Sequence, residues 1–240
     1  MEELPATRIT QYLPFINIGT DFAGPFLLKD RLTRGSKLIK SYVCIFVCLS
    51  TKPVHLEVTS DLTTACFLAA FRPFVSRRGK PSKVYSDNGK TYVGAKKKLQ
   101  SLNNFLKNQA ISEEFNSYFT EQGIDWHFIP SRAPNFGRIW EAGVKSFKFH
   151  FKGVVGEAHL NLEEFHTVLV QVESILNSRP LCSITSSPDQ LNPLTPAHLL
   201  LGRSLVSLPN RDVSHIPENR LKRFERSQKI LQHFWRRWKR

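Results

Sequence analysis

The sequence predicts a mixed α/β protein built on one sheet, and three observations predict it. Segments rich in β-branched and aromatic residues come first and in close succession, between Phe15 and Thr59. Shorter strand-like segments, 82–85 and 124–130, then alternate with helical patterns. A hydrophobic content of 41% over 240 residues is enough apolar material for a sizeable core. Hairpins followed by strand–helix alternation combine antiparallel and parallel pairing in a single sheet.

The first strand is expected over 15–26, ended by Gly24-Pro25. Residues 41–50 hold the continuous run Tyr-Val-Cys-Ile-Phe-Val-Cys-Leu, as expected of a central strand covered on both faces. Residues 53–59 alternate Val54, Leu56 and Val58 with His55 and Glu57, which reads as a half-buried strand nearer an edge. A helix is expected after Thr63-Thr64, with Phe67, Phe71 and Phe74 at helical spacing until Arg78-Gly79-Lys80-Pro81 stops it. A strand running to Asp87, helices over 93–106 and 113–120, and a short last strand over 124–130 complete the alternation.

The helix expected to begin near Trp140 sorts into two stripes at 100° per residue. Trp140, Val144, Phe147 and Phe151 make the apolar one; beside it Glu141, Lys145, Lys148 and Lys152 recur at offsets of 4, 7 and 11. A Glu–Lys pair four apart is also an ordinary solvated feature, worth only ~0.2–0.5 kcal/mol. Asn161 is placed to cap a further helix, whose Leu162, Phe165, Leu169, Val172 and Leu176 line one face until Asn177-Ser178-Arg179-Pro180. That helix reads as core, with no chemistry required.

The formal charge of +14 and a pI near 9.9 favour a polyanionic partner, since each neutralised phosphate releases counterions. A solubility role is the plain alternative, but the charge is uneven: Arg203 to Arg240 holds 11 basic and 3 acidic residues, so that more than half of the excess lies there. Cys44, Cys48, Cys66 and Cys182 show no paired metal-finger spacing and read as reduced core thiols, so no zinc is expected in this chain. The start lacks a basic region followed by an apolar segment, and the longest apolar run, 43–49, is too short to span a bilayer. A soluble, intracellular protein without a membrane partner is expected.

Three acidic residues stand in unusual company: Asp21 in Gly19-Thr20-Asp21-Phe22-Ala23-Gly24-Pro25, Asp87 in Tyr85-Ser86-Asp87-Asn88-Gly89, and Glu141 after Phe136-Gly137-Arg138-Ile139-Trp140. Carboxylates at strand and helix ends of a basic protein suggest metal-dependent chemistry on nucleic acid. Taken singly, each has a structural explanation. Asp21 could satisfy turn amides, Asp87 could close an Asx turn, and Glu141 could sit in the favourable first turn of its helix.

Together with Val93-Gly94-Ala95, Trp126-His127-Phe128-Ile129-Pro130, Pro134-Asn135-Phe136-Gly137, Asn177-Ser178-Arg179-Pro180 and Leu194-Thr195-Pro196-Ala197-His198-Leu199-Leu200-Leu201-Gly202, these segments resemble, in order, the integrase catalytic core of BEL/Pao-type long-terminal-repeat retrotransposons. The resemblance covers about 15–205. It implies a ribonuclease H-like fold with a mixed five-stranded sheet flanked by helices, and assigns Asp21, Asp87 and Glu141 as the catalytic, metal-binding triad. The 53 residues between Asp87 and Glu141 suit this group, with the extra length as a helical insertion around 99–118. Two Mg²⁺ or Mn²⁺ ions are implied, with Asp21 bridging both, and with DNA-end processing and strand transfer as the reactions. DNA, both element ends and target, would be the partner, together with further copies of the chain; no small-molecule substrate is implied, and chromosomal DNA implies a nuclear location. Lys145, Lys148 and Lys152 would position phosphates, Asn135 and Phe136, in a loop before Glu141, would touch the DNA terminus, and Arg138 of the same loop would either grip DNA phosphate or stiffen the loop.

Several positions depart from the group's pattern. Arg138 stands where a second glycine is usual, and Lys90-Thr91 replace the Thr-Asn that commonly follows Asp-Asn-Gly. Residues of the upstream His-His-Cys-Cys domain have no counterpart. The chain divides into a leader over 1–14, the core with a C-terminal helical extension over 15–205, and a basic, Trp-containing tail over 206–240, in which Phe224, Leu231, Trp235 and Trp238 are expected to form one helix face. Two rival readings stay open: a catalytically inactive or domesticated copy that binds nucleic acid or protein, and a ribonuclease H-like nuclease that only cuts.

Overall fold

The structure, a computed structural model, describes residues 13–31, 35–109, 123–128, 134–155, 158–183, 193–205 and 208–238, with backbone alone for 103–109, 134–143, 146 and 183. In chain order the elements are strands β1 (Asn17–Lys29), β2 (Leu38–Cys48) and β3 (Val54–Thr59), helix α1 (Thr64–Arg78), β4 (Lys83–Ser86), α2 (Lys90–Gln109), β5 (Asp125–Phe128), α3 (Pro134–Val155), α4 (Leu162–Asn177), β6 (Cys182–Ser183), β7 (Pro193–Leu194), α5 (Pro196–Leu201) and α6 (Arg223–Trp238). Five strands form one sheet in the order β3-β2-β1-β4-β5, while β6 and β7 pair separately. The first three strands are antiparallel; β4 runs parallel to β1, and β5 parallel to β4. This is the ribonuclease H-like arrangement that the resemblance implied. The expected helix over 113–120 lies outside the described residues.

Strand β2 organises the core because its successive side chains feed opposite faces. Val43, Ile45 and Val47 join one apolar cluster with Phe147 and Phe151 of α3, Phe165 and Leu169 of α4, and Phe234 of α6. Cys44, Phe46 and Cys48 join the other, with Phe67, Phe71 and Phe74 of α1, Tyr92 of α2 and Trp126 of β5. The sheet is therefore covered on both sides, as the continuous apolar run predicted.

Strand β1 does not end at Gly24-Pro25. Its register against β2 shifts between Ala23 and Phe26, and pairing resumes with Phe26 opposite Ser41. A bulge accommodates the proline, which has no N–H for a ladder bond, and Gly24 sits at φ 134°, a conformation open to glycine. The continued strand brings Phe26 against Phe151 and Phe165, with ring centroids 5.2 and 5.5 Å apart.

Strand β3 lies at the sheet edge but is more buried than its alternation suggested, since His55 and Glu57 are covered as well as Val54 and Leu56. Its free edge is closed by side chains of α4. Asn177 Oδ1 accepts from the Val54 N–H (2.8 Å), Asn177 Nδ2 donates to the Val54 carbonyl (2.9 Å), and Glu173 Oε2 accepts from the Leu56 N–H (2.9 Å). Four residues along a helix rise about 6 Å, close to the roughly 6.6 Å between alternate strand residues, so one helix face can match one strand edge. Arg179 completes the closure, donating to the carbonyls of Leu176 (2.8 Å) and Lys52 (2.6 Å). The Asn177-Ser178-Arg179-Pro180 segment is thus a structural clamp on the β2–β3 turn.

The helices follow their sequence signals with local differences. Thr63 caps α1 by accepting from the Cys66 N–H, and Asn161 with Glu164 forms a full capping box on α4. Leu162, expected on the apolar face of α4, is exposed; Val168 takes its place in the core. In α6 the buried positions are Ser227, Ile230, Leu231 and Phe234, with Trp238 packed beside them, while Phe224 and Trp235 are exposed. The expected tail face is therefore rotated, because α6 packs on α3 and α4. No helix among the described residues is long and apolar enough to cross a membrane.

Candidate active site

Parallel pairing of β1 and β4 places Ile18 beside Val84 and Gly19 beside Tyr85. Asp21 and Asp87 each stand two residues beyond the Gly19–Tyr85 pair, where the parallel pairing stops: Asp87 follows the last residue of β4, and Asp21 lies within β1, which runs on beside β2 alone. Period-two alternation puts both on the sheet face covered by α3, the face to which Ala23 and Tyr85 also belong. Asp21 is half-buried and Asp87 exposed.

The sequence holds each carboxylate by the same local device. Asp21 Oδ1 accepts from the Phe22 N–H at 2.6 Å, and Asp87 Oδ1 accepts from the Gly89 N–H at 2.9 Å. The second contact is the Asx turn considered for Asp87, and it leaves the other oxygen of the carboxylate outside the turn. A Cβ at Gly89 would lie 2.9 Å from Asp87 Oδ1, so a larger residue there would push that carboxylate out of its present position. The Gly89 carbonyl accepts from the N–H groups of Tyr92 and Val93, so the turn leads directly into α2 and holds Asp87 beside that helix's N-terminus. Below the turn, Trp126 Nε1 donates to Ser86 Oγ at 2.9 Å, tying β4 to β5.

Tyr92 lies on the opposite face of the sheet, in the α1-side cluster, within electrostatic reach of both acids. Its ring stacks on Phe22 with centroids 5.6 Å apart. Burial raises its phenol well above the ordinary value, and neighbouring Cys44, Asp21 and Asp87 raise it further. A buried, neutral tyrosine thus backs the sheet near both acids.

Helix α3 reaches the site through Lys148, whose Nζ donates to Asp21 Oδ2 at 2.8 Å. On either side of it Lys145 and Lys152 are exposed. Glu141 lies in the same helix, seven residues before Lys148 and about 10 Å along the axis, but its side chain is outside the described set. Asn135, Phe136 and Arg138 occupy the first two turns of α3 rather than a preceding loop, with Pro134 at the helix start, where its missing N–H costs nothing. Arg138 consequently has a helical backbone. Only the backbone of these three residues is described.

The structure therefore brings together Asp21, Asp87 and Lys148 of the expected site residues. Among the described residues, which do not include the Glu141 side chain, no group of three His, Cys, Asp or Glu side chains gathers around a common point. The oxygen donors of Asp21 and Asp87 fit a hard divalent cation, and Asp21 already draws an ammonium group as its counter-ion. Sequence reasoning missed Tyr92 and the pairing of Lys148 with Asp21. The i, i+7 relation of Lys148 to Glu141 gave the only hint of the second.

No protein-family model matches the chain, nor does any curated protein. Similar solved structures are retroviral. A chain of the simian T-cell lymphotropic virus intasome in complex with PP2A regulatory subunit B56 gamma is 15% identical with a TM-score of 0.49, over 89% of this chain and 64% of that one. The HTLV-2 integrase catalytic core domain in complex with magnesium, in its dimeric form, is 16% identical with a TM-score of 0.45, over 80% of this chain and 99% of that one. The catalytic core domain of BIV integrase is 12% identical with a TM-score of 0.45, over 78% and 95%. The likeness is one of fold, and this chain spans less than two thirds of the intasome chain.

Proposed function

We propose that this chain is the catalytic core of a BEL/Pao-type retrotransposon integrase, acting on DNA by divalent-metal-dependent 3′-end processing and strand transfer. The observation that carries the reading is the side-by-side placement of Asp21 and Asp87 where the parallel pairing of β1 and β4 stops, on the sheet face along which α3 brings Lys148. Glu141 of α3 would complete the acidic triad.

Each residue has a defined task in this reading. Asp21 and Asp87 are each pre-oriented through one oxygen by the Phe22 and Gly89 amides, and a cation would take Asp21 Oδ2 in exchange for the Lys148 ammonium. Two Mg²⁺ or Mn²⁺ ions held there would activate the attacking oxygen and stabilise the departing 3′ oxygen. Lys145 and Lys152 project from the exposed side of α3 and would hold the DNA backbone by its phosphates. Asn135, Phe136 and Arg138, at the start of α3, would meet the DNA terminus. Further copies of the chain would join in the full reaction, which would take place in the nucleus.

The test is a disintegration assay on branched DNA with Mg²⁺ or Mn²⁺, comparing the wild type with Asp87→Asn. Joined strands from the wild type alone are the expected result. Fragments without joined strands would instead identify a nuclease, and no reaction from a folded, DNA-binding wild type would identify an inactive copy.

A further inference from the structure

The ion pair between Lys148 and Asp21 links the two elements of the site across 127 residues of sequence. Its geometry differs from that of a lysine waiting for phosphate. The ammonium is bonded to Asp21 Oδ2, and the other oxygen of that carboxylate is held by the Phe22 amide. Lys145 and Lys152, neighbours on the same helix stripe, are more exposed than Lys148. One lysine of the three is thus drawn inward, onto the carboxylate that would bridge the ions.

We infer that Lys148 is a built-in counter-ion for Asp21, holding the position of a divalent cation until one binds, so that metal binding and Lys148 compete for Oδ2. The inference rests on the proposed metal-dependent function. Its physical basis is that Asp21 is half-buried between β2 and α3, where an unpaired carboxylate is costly and a positive partner favours the docked position of α3. A divalent ion at Oδ2 would replace the ammonium and repel it. Lys148 would then swing outward on its flexible stem toward the exposed Lys145 and Lys152, adding a third cation for phosphate only after the site is loaded. Lys148 is accordingly a positioning residue, coupling metal loading to DNA grip.

Competition predicts two opposite effects of removing the charge. In Lys148→Met, which keeps the length of the side chain, Mn²⁺ measured by electron paramagnetic resonance without DNA should bind about three- to tenfold tighter, the range expected for losing a half-exposed ion pair and a nearby like charge. Without metal the same variant should melt at a lower temperature than the wild type, and saturating Mn²⁺ should close that gap. Lys148→Arg keeps the charge and should bind Mn²⁺ as the wild type does.

The outcomes separate the two readings. Equal Mn²⁺ affinity in wild type and Lys148→Met, with binding lost in Asp87→Asn, would overturn the competition and leave the metal site standing. No Mn²⁺ binding to any variant would overturn both. Weaker binding in a folded Lys148→Met, with Lys148→Arg unchanged, would show that the lysine assists the ion, and would likewise overturn the inference.

Discussion

The carboxylates of this protein occur in two settings only a few strands apart, and the contrast separates structure from chemistry. At the β3 edge, Glu57 and Glu173 are buried and surrounded. Glu57 Oε1 lies 2.7 Å from His55 Nε2 and also accepts from Arg77, while Glu173 accepts from Arg78 Nη2 at 2.6 Å and from the Leu56 N–H. His55 is fully enclosed between these acids, the Arg78 guanidinium and the rings of Phe46 and Phe74. Within β1 and just past the end of β4, Asp21 and Asp87 each hold one backbone N–H, and only Asp21 has a salt-bridge partner among the described residues. The edge cluster is satisfied on every side and ties α1, β3 and α4 together. The Asp21–Asp87 pair is fixed in place but under-neutralised, which is the state a cation-binding site requires before its ions arrive.

Substitution should break the two settings in opposite ways. Asp87→Asn keeps the Oδ1 acceptor for the Gly89 amide, so stability should change by no more than about 0.5 kcal/mol in chemical denaturation. Joining of branched DNA should nevertheless fall by at least about a hundredfold, because a metal-held oxygen anion is lost. Glu173→Ala should show the reverse balance. It leaves Arg78, His55 and the Leu56 N–H without their buried acceptor, a loss of about 3–5 kcal/mol in unfolding free energy. A Glu173→Ala protein as stable as the wild type would mean that the edge cluster does not hold α4 to the sheet.

Asn177→Ala tests the same edge without touching a charge. The Val54 N–H and carbonyl would both lose their partner in a buried position. An unfolding loss of about 1–3 kcal/mol is expected, smaller than for Glu173 because no ion is stranded.

What the sequence disclosed follows from the range of the forces involved. The apolar run of β2 announced a strand buried on both faces because burial is written into every residue of it. Thr63 and Asn161 announced helix starts because capping is local. Local signals also misled. Gly24-Pro25 reads as a strand end, yet a bulge carries β1 past it. Asn135-Phe136-Gly137 reads as a loop, yet Pro134 opens a helix there. Asp21 and Asp87 were legible as odd acids in strand-like company, but the partners that give them meaning are distant. Helical spacing placed Lys148 on a stripe with Glu141 and could not say what the stripe faces. Nor could it say which side of α6 packs inward, since Phe224 and Phe234 differ only in what tertiary contact offers them.

The two settings should also differ, more weakly, in their response to pH. Burial alone would push Glu173 up and His55 down, but their mutual contact, with Glu57, Arg78 and the Leu56 N–H, reverses both: Glu173 is held below its ordinary 4.5 and His55 above its ordinary 6.5. Stability from Glu173 is present above 4.5 and is lost as pH falls through its lowered folded value. Stability from His55 is fully present below 6.5 and is lost as pH rises through its raised folded value. Unfolding free energy should therefore peak between about pH 4.5 and 6.5 and decline on both sides, in urea titrations from pH 3 to 9. Glu173→Gln should flatten the acid limb and weaken the alkaline one, because the imidazolium loses one of its two anionic neighbours. Asp87→Asn should leave both limbs unchanged, since its carboxylate takes no part in the edge cluster. An equal flattening by the two substitutions would mean that the two settings are electrostatically one, and the division of labour drawn between them would fall.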